Sequence, residues 1–286
     1  MTVDPAPLPS PLVTTGWLAE RLGEPGLVVV DATVFPVAGG YVTGDEKYLL
    51  EGHIPGALFA DLIDDFSDPE GRFPFTRPDA ARFAAAAGAL GIGPGTAVVV
   101  YDAALGQWAS RLWWLLRSFG HDRAAVLDGG LTAWLAEGRP VETGHVEAAP
   151  AVFVAQERPE LWIDKAGVER ILAGEESATL VCATPPGEFA GAAGSRPRAG
   201  HIPGSVSVPA GRLVDPGTRV FLEEEGLRTA LAPALGGRVV AYCGGGIAAT
   251  AAAFALALLG EEDVAVYDGS LNEWAADPDA PLVTSA

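Results

Sequence analysis

The residue best placed to do chemistry is Cys243, in Ala241-Tyr242-Cys243-Gly244-Gly245-Gly246-Ile247-Ala248-Ala249-Thr250, directly after Val239-Val240. This pattern predicts a strand ending on a thiol, a glycine loop and an Ala-rich helix. Glycines lack the Cβ that restricts φ/ψ, so the N–H groups of Gly244, Gly245, Gly246, Ile247 and Ala248 can turn toward one point. The start of the next helix adds unsatisfied N–H groups and partial positive charge. Sulfur held there is biased toward thiolate, and a negatively charged sulfur species bound to it is stabilised. The competing reading is a small buried hydrophobe, the usual role of a single cysteine in an apolar chain. Strand, glycine loop and helix is also how an ordinary α/β unit turns.

The elements that must position this loop occur twice. Gly52-His53-Ile54-Pro55-Gly56-Ala57 returns as Gly200-His201-Ile202-Pro203-Gly204-Ser205. Asp128-Gly129-Gly130-Leu131-Thr132-Ala133-Trp134 returns as Asp268-Gly269-Ser270-Leu271-Asn272-Glu273-Trp274. The period, about 145 residues, is a whole domain rather than a solenoid repeat. Each half opens with a short amphipathic helix: Trp17, Leu18 and Leu22 behind Thr14, then Val168, Ile171 and Leu172 behind Asp164, with Thr and Asp as N-caps. Apolar strands follow at 27–30 and 180–182, then the Gly-His-Ile-Pro-Gly turn, a helix, and strands at 97–101 and 239–242. Helix 109–119 carries Leu112, Leu115, Leu116 and Phe119 on one face, and its counterpart 250–259 is apolar all round. Continuous apolar strands alternating with helices predict an α/β fold of two tandem domains, each a mostly parallel sheet flanked by helices. The expected division is domain 1–140, linker 141–158 and domain 159–286. The halves differ chemically: Asp102 follows Tyr101 where Cys243 follows Tyr242, so the first half is expected to be catalytically inactive.

Composition narrows the partners. The formal charge of −19 over 286 residues argues against nucleic acid and anionic membrane surfaces, and any anion site must be local. No apolar run reaches the roughly 18 residues of a membrane span, and the start, Met1-Thr2-Val3-Asp4-Pro5, lacks the basic and apolar regions of a signal peptide. Two cysteines make no disulfide framework, and a reducing cytoplasm is expected. No Cys/His cluster has metal-ligand spacing, so no metal is expected.

Taken together, the two Gly-His-Ile-Pro-Gly turns, Tyr101-Asp102-Ala103, Arg111-Leu112-Trp113-Trp114, Leu127-Asp128-Gly129-Gly130, the Cys243 loop and Tyr267-Asp268-Gly269-Ser270 resemble the tandem-domain rhodanese family of thiosulfate and 3-mercaptopyruvate sulfurtransferases. The resemblance implies an inactive first and an active second domain, with the site near their interface. It implies that Cys243 takes a sulfane sulfur as a persulfide from a small-molecule donor and passes it to cyanide or a thiol, with no metal or organic cofactor. The loop is nearer the mercaptopyruvate type, Cys-Gly-Ser-Gly-Val-Thr-Ala, but Gly245 replaces its serine. Phe73 stands where the family places a histidine, although Asp61 remains, and Thr184 and Glu188 stand where it places substrate-clamping arginines. Arg196 and Arg198, ahead of the second Gly-His-Ile-Pro-Gly turn, are candidate replacements for that clamp; otherwise they are solvated charges.

Other readings remain open on sequence alone. A degenerate module acting as persulfide carrier or protein-interaction domain is the alternative to an enzyme. A cysteine phosphatase is disfavoured, because the position six after Cys243 is Ala249 and offers no cation for phosphate. Cys182 is either a buried thiol or a resolving thiol for the persulfide. His53 and His201 occupy the same turn in both halves, including the half without a nucleophile, which points to a structural role.

Overall fold

A computed structural model describes residues 7–194 and 196–285; the leader region read above and Ser195 lie outside the described residues. The chain folds as two compact units. The first holds residues up to Glu70, 77–158 and 217–220; the second holds 71–76, 159–216 and Phe221 onward.

In the first unit, strands β1 (Leu12–Val13), β2 (Leu27–Asp31), β5 (Leu58–Phe59), β6 (Ala97–Tyr101) and β7 (Ala124–Leu127) form one sheet. Its order is β1-β7-β6-β2-β5, and every pairing is parallel. A separate antiparallel hairpin joins β3 (Val34–Val37) to β4 (Gly40–Thr43). Strands β8 (Trp162–Ile163), β9 (Thr179–Cys182), β10 (Val206–Ser207), β11 (Val239–Tyr242) and β12 (Val264–Tyr267) build the second sheet. Its order, β10-β9-β11-β12-β8, repeats the first strand for strand, again all parallel. Helices α1 (Thr15–Ala19), α2 (Asp45–Leu50), α3 (Ala80–Ala89), α4 (Gln107–Ser118) and α5 (Gly130–Ala136) belong to the first unit. Helices α6 (Lys165–Leu172), α7 (Pro186–Ala190), α8 (Glu224–Leu231), α9 (Ile247–Leu258) and α10 (Ser270–Trp274) belong to the second.

The physical reasons are those the pattern suggests. The central strands β6 and β11 are buried along their whole length, which only a sheet covered on both faces allows. Thr14 and Asp164 cap α1 and α6, accepting from Trp17 N and Gly167 N. The recurring histidine turn is an anchor. His53 Nδ1 donates to Tyr48 O at 2.9 Å and its ring stacks on Tyr48. His201 Nδ1 donates to Phe189 O at 2.8 Å and stacks on Phe189. The turn's next residue donates its N–H to the tyrosine ending the central strand: Ile54 to Tyr101 Oη, Ile202 to Tyr242 Oη.

Two expectations need adjusting. Helix α9 begins at Ile247, not at 250, because Gly246 at φ 81 caps it and releases the chain directly into the first turn. Residues 143–158 contain no helix or strand but are not a free tether. Ala151 N donates to Gly88 O, Gln156 N to Phe119 O, and Phe153 is buried against Phe83. This stretch therefore packs as part of the first unit.

One consequence concerns Asp31, which ends β2 where Cys182 ends β9. Burial pushes its carboxyl up to about 6, against the hydrogen bonds it receives. A carboxyl with a raised folded-state pKa imposes no penalty below its unfolded value; the penalty grows as pH rises from there toward the folded value and then levels off. Asp31→Asn removes that penalty. The first unit of the variant is expected to gain roughly 2 kcal/mol over wild type as pH rises from about 4 to 6. Urea unfolding at both pH values checks this; an equal gap at both contradicts it.

Candidate active site

Cys243 follows the central strand β11 at the carboxyl end of the sheet, the end at which open α/β sheets place their ligands. It is 3% exposed. The loop Gly244-Gly245-Gly246 then delivers the chain into α9, so Ile247 and Ala248 stand in the first helical turn rather than in the loop.

The three glycines serve different needs. Only Gly246 takes a positive φ. At Gly244 and Gly245 a side chain would meet the ends of neighbouring polar side chains. A Cβ on Gly244 would lie 3.1 Å from Arg196 Nη1, and one on Gly245 would lie 2.8 Å from Asn272 Nδ2. A guanidinium and a carboxamide therefore flank the loop, neither of them within the loop sequence. The cation that no loop residue offers comes from Arg196.

Arg196 is paired through Nη2 with Glu188 Oε2. The Glu188 carboxylate, which stands where the family places an arginine, is thus compensated by the guanidinium beside Gly244. Arg198 points elsewhere: its Nη1 donates to Asp277 O and its Nη2 to Ala280 O. Of the two candidate clamps, Arg198 ties down the C-terminal segment and Arg196 reaches the cysteine loop.

Beneath the loop lies Ser270, which the residue pattern left without a role. Its Oγ accepts from Cys243 N at 3.0 Å and Gly246 N at 3.1 Å, and donates to Tyr267 O at 2.7 Å. It is fully buried and sits at φ 49, a conformation rare outside glycine. Its counterpart is Gly130, at φ 52. In the first unit a different group collects the N–H donors. Asp102 Oδ1 accepts from Ala104 N and Gly106 N, and Oδ2 from Trp108 N and Ala109 N. Burial raises the Asp102 pKa while those four bonds oppose the rise. In the first unit the strand-to-helix turn thus gathers four donors around the residue that follows the strand tyrosine. In the second unit Ser270 takes two donors, and the N–H groups of Gly244, Gly245, Ile247 and Ala248 have no acceptor among the described residues. The one sequence signal for Ser270 was the Gly130-to-Ser270 change within the repeat.

The remaining candidates fall outside the loop. Cys182 is fully buried in the core beside Tyr242, its Sγ 3.2 Å from Thr184 Oγ1, and burial pushes its thiol up. That is the setting of an inert thiol. Phe73 lies under the Arg72 guanidinium and carries no acid–base group. Asp61 accepts from Ile63 N and Asp64 N, closing a local turn, and burial raises its pKa. No group of three or more His, Cys, Asp or Glu that could hold a metal occurs among the described residues. None of their helices is long and apolar enough to cross a membrane.

Two parallel sheets of identical strand order, with a cysteine following the central strand of the second, define a duplicated α/β protein with one thiol at a strand-to-helix turn. Residues 14–137 and 168–277 both match the rhodanese-like domain. The chain is 38% identical over 284 residues to a probable 3-mercaptopyruvate sulfurtransferase of Pseudomonas aeruginosa, covering 96% of this chain and 98% of that one. It is 36% identical over 274 residues to a thiosulfate sulfurtransferase of Gallus gallus, covering 92% of each. The crystal structure of the Escherichia coli 3-mercaptopyruvate sulfotransferase SseA superposes with a TM-score of 0.81 at 31% identity, covering 91% of this chain and 98% of SseA. The chain belongs to the rhodanese-like family and is an enzyme of the sulfurtransferase class.

Proposed function

We propose that Cys243 is the sulfur-carrying nucleophile and that the donor is a small monoanionic sulfur compound of the 3-mercaptopyruvate class. The observation that carries this reading is the place of Cys243, at the turn where the first unit holds Asp102, beside the unclaimed N–H groups of Gly244, Gly245, Ile247 and Ala248. They belong to the turn that corresponds to the one wrapping Asp102 in the first unit. The Cys243 thiolate attacks the donor sulfur. A new S–S bond forms, the donor's C–S bond breaks, and the electron pair leaves with the pyruvate enolate, which takes a proton. The persulfide rests among the N–H groups. A thiolate or cyanide then attacks the outer sulfur, and the Cys243 thiolate is released. Covalent transfer in two halves predicts ping-pong kinetics.

The preference for a monoanion rests on charge. Arg196 is the cation beside Gly244, and Glu188 already holds one edge of its guanidinium. Thiosulfate, a dianion, leaves more charge unmatched than a single carboxylate does. The two free thiols suit a reducing compartment, so we place the enzyme in the cytoplasm.

Arg196→Ala is expected to lower kcat/KM for 3-mercaptopyruvate about tenfold, the loss of one charge-assisted hydrogen bond at a partly exposed site. Glu188→Gln frees the guanidinium and is expected to raise it several-fold, whereas Arg198→Ala leaves it within about twofold. Steady-state pyruvate release measures all three; an unchanged Arg196→Ala removes the clamp from the account. If wild type takes up sulfur but shows no turnover with any acceptor, the chain is a persulfide carrier instead.

A further inference from the structure

Asn272 stands out among the residues around the loop because nothing in the repeat explains it. The equivalent residue of the first half is Thr132. Asn272 N donates to Gly244 O at 2.8 Å, which pins the start of α10 to the loop. Its side-chain amide lies against Gly245, closely enough that a Cβ there would sit 2.8 Å from Nδ2. That amide has no hydrogen-bond partner among the described residues, and Asn272 is only half-buried, so its polar end is open to a ligand. Gly245 carries no positive φ, and the group a side chain there would meet first is the Asn272 amide.

We propose that Asn272 is an oxygen-recognising residue of the donor site, and that Gly245 is glycine to make room for it. The proposal rests on the sulfur-transfer reading above. With Arg196 beside Gly244 and Asn272 beside Gly245, the loop offers a guanidinium and an amide on successive residues. An α-keto acid presents the matching pair, a carboxylate and a neighbouring carbonyl oxygen. The amide NH2 donates to that carbonyl, where charge collects as the C–S bond breaks, so the bond strengthens as the reaction proceeds. An amide cannot pass a proton on as a hydroxyl can, so its service is electrostatic.

The test compares two donors, 3-mercaptopyruvate and inorganic polysulfide, which has no oxygen to recognise. Persulfide formation on Cys243 is followed by mass and by pyruvate release. Asn272→Ala is expected to lower kcat/KM for 3-mercaptopyruvate about tenfold while leaving polysulfide loading within about twofold. Asn272→Asp, which keeps the shape but replaces the donor by a negative charge, is expected to fall further. Gly245→Ala pushes the amide aside and is expected to reproduce the Asn272→Ala loss. The double variant is then no worse than either single one, because both remove one interaction. Additive losses, or equal losses with both donors, show a structural role and overturn the proposal. Wild type that loads sulfur normally while Asn272→Ala is indifferent to 3-mercaptopyruvate overturns this proposal alone. Wild type that gains no sulfur from either donor overturns the sulfur-transfer reading and the proposal with it.

Discussion

Cys243→Ser is expected to lose sulfur transfer by roughly a thousandfold or more, at least about 4 kcal/mol of barrier at 1.36 kcal/mol per decade. A hydroxyl is a far weaker nucleophile than a thiolate and forms no persulfide, so both half-reactions fail together. The substitution is nearly isosteric at a buried position, and the unclaimed N–H groups can bond the new hydroxyl. The fold is therefore expected to survive. Cys182→Ser is the control. Cys182 is in the core beside Tyr242, and its loss costs packing and stability rather than chemistry. Pyruvate and thiocyanate release, measured with circular dichroism on both variants, separates the two roles. Retained turnover in Cys243→Ser contradicts the assignment.

Ser270 carries the second large effect. Removing its hydroxyl leaves the N–H groups of Cys243 and Gly246 without an acceptor in a fully buried site. Ser270→Ala is expected to destabilise the second unit by about 2–4 kcal/mol, from two unsatisfied groups at about 1–3 kcal/mol each with partial relaxation. It is also expected to lower kcat/KM at least about tenfold, because the same two groups fix the loop's shape around sulfur. Ser270→Gly loses the same hydroxyl but relieves the left-handed backbone at φ 49. It is expected to be about 1 kcal/mol more stable than Ser270→Ala. In a helix of ordinary dihedral angles the order is reversed, so urea unfolding of the pair distinguishes a strained acceptor from a plain helical serine. Alanine more stable than glycine contradicts the role given to Ser270.

Much of this was legible in the residues. The doubled Gly-His-Ile-Pro-Gly turns and Asp-Gly motifs announced two copies of one fold, and the Asp102-to-Cys243 change marked the half that carries the thiol. Capping by Thr14 and Asp164 and the buried central strands followed from local pattern because each depends on neighbours in sequence. What escaped depends on contacts between distant segments. Glycine at 244 and 245 reads as backbone freedom until Arg196 and Asn272 are seen beside them. Arg196 and Arg198 are two residues apart across a proline, yet one flanks the loop and the other binds carbonyls of the C-terminal segment. No local rule separates them. The start of α9 was missed because Gly246 serves as a left-handed cap, which moves the helix forward onto Ile247. Residues 141–158 read as a linker by composition, while backbone hydrogen bonds from Ala151, Gln156 and Arg158 to Gly88, Phe119 and Ser118 hold the stretch on the first unit.

The most direct measurement is the mass of the intact protein after brief exposure to 3-mercaptopyruvate, followed by peptide mapping under non-reducing conditions. One added sulfur atom, confined to the peptide that contains Cys243 and released as thiocyanate by cyanide, is the result predicted by a cradle built around that thiol. Sulfur found on Cys182, or on neither cysteine while pyruvate is still formed, would contradict it.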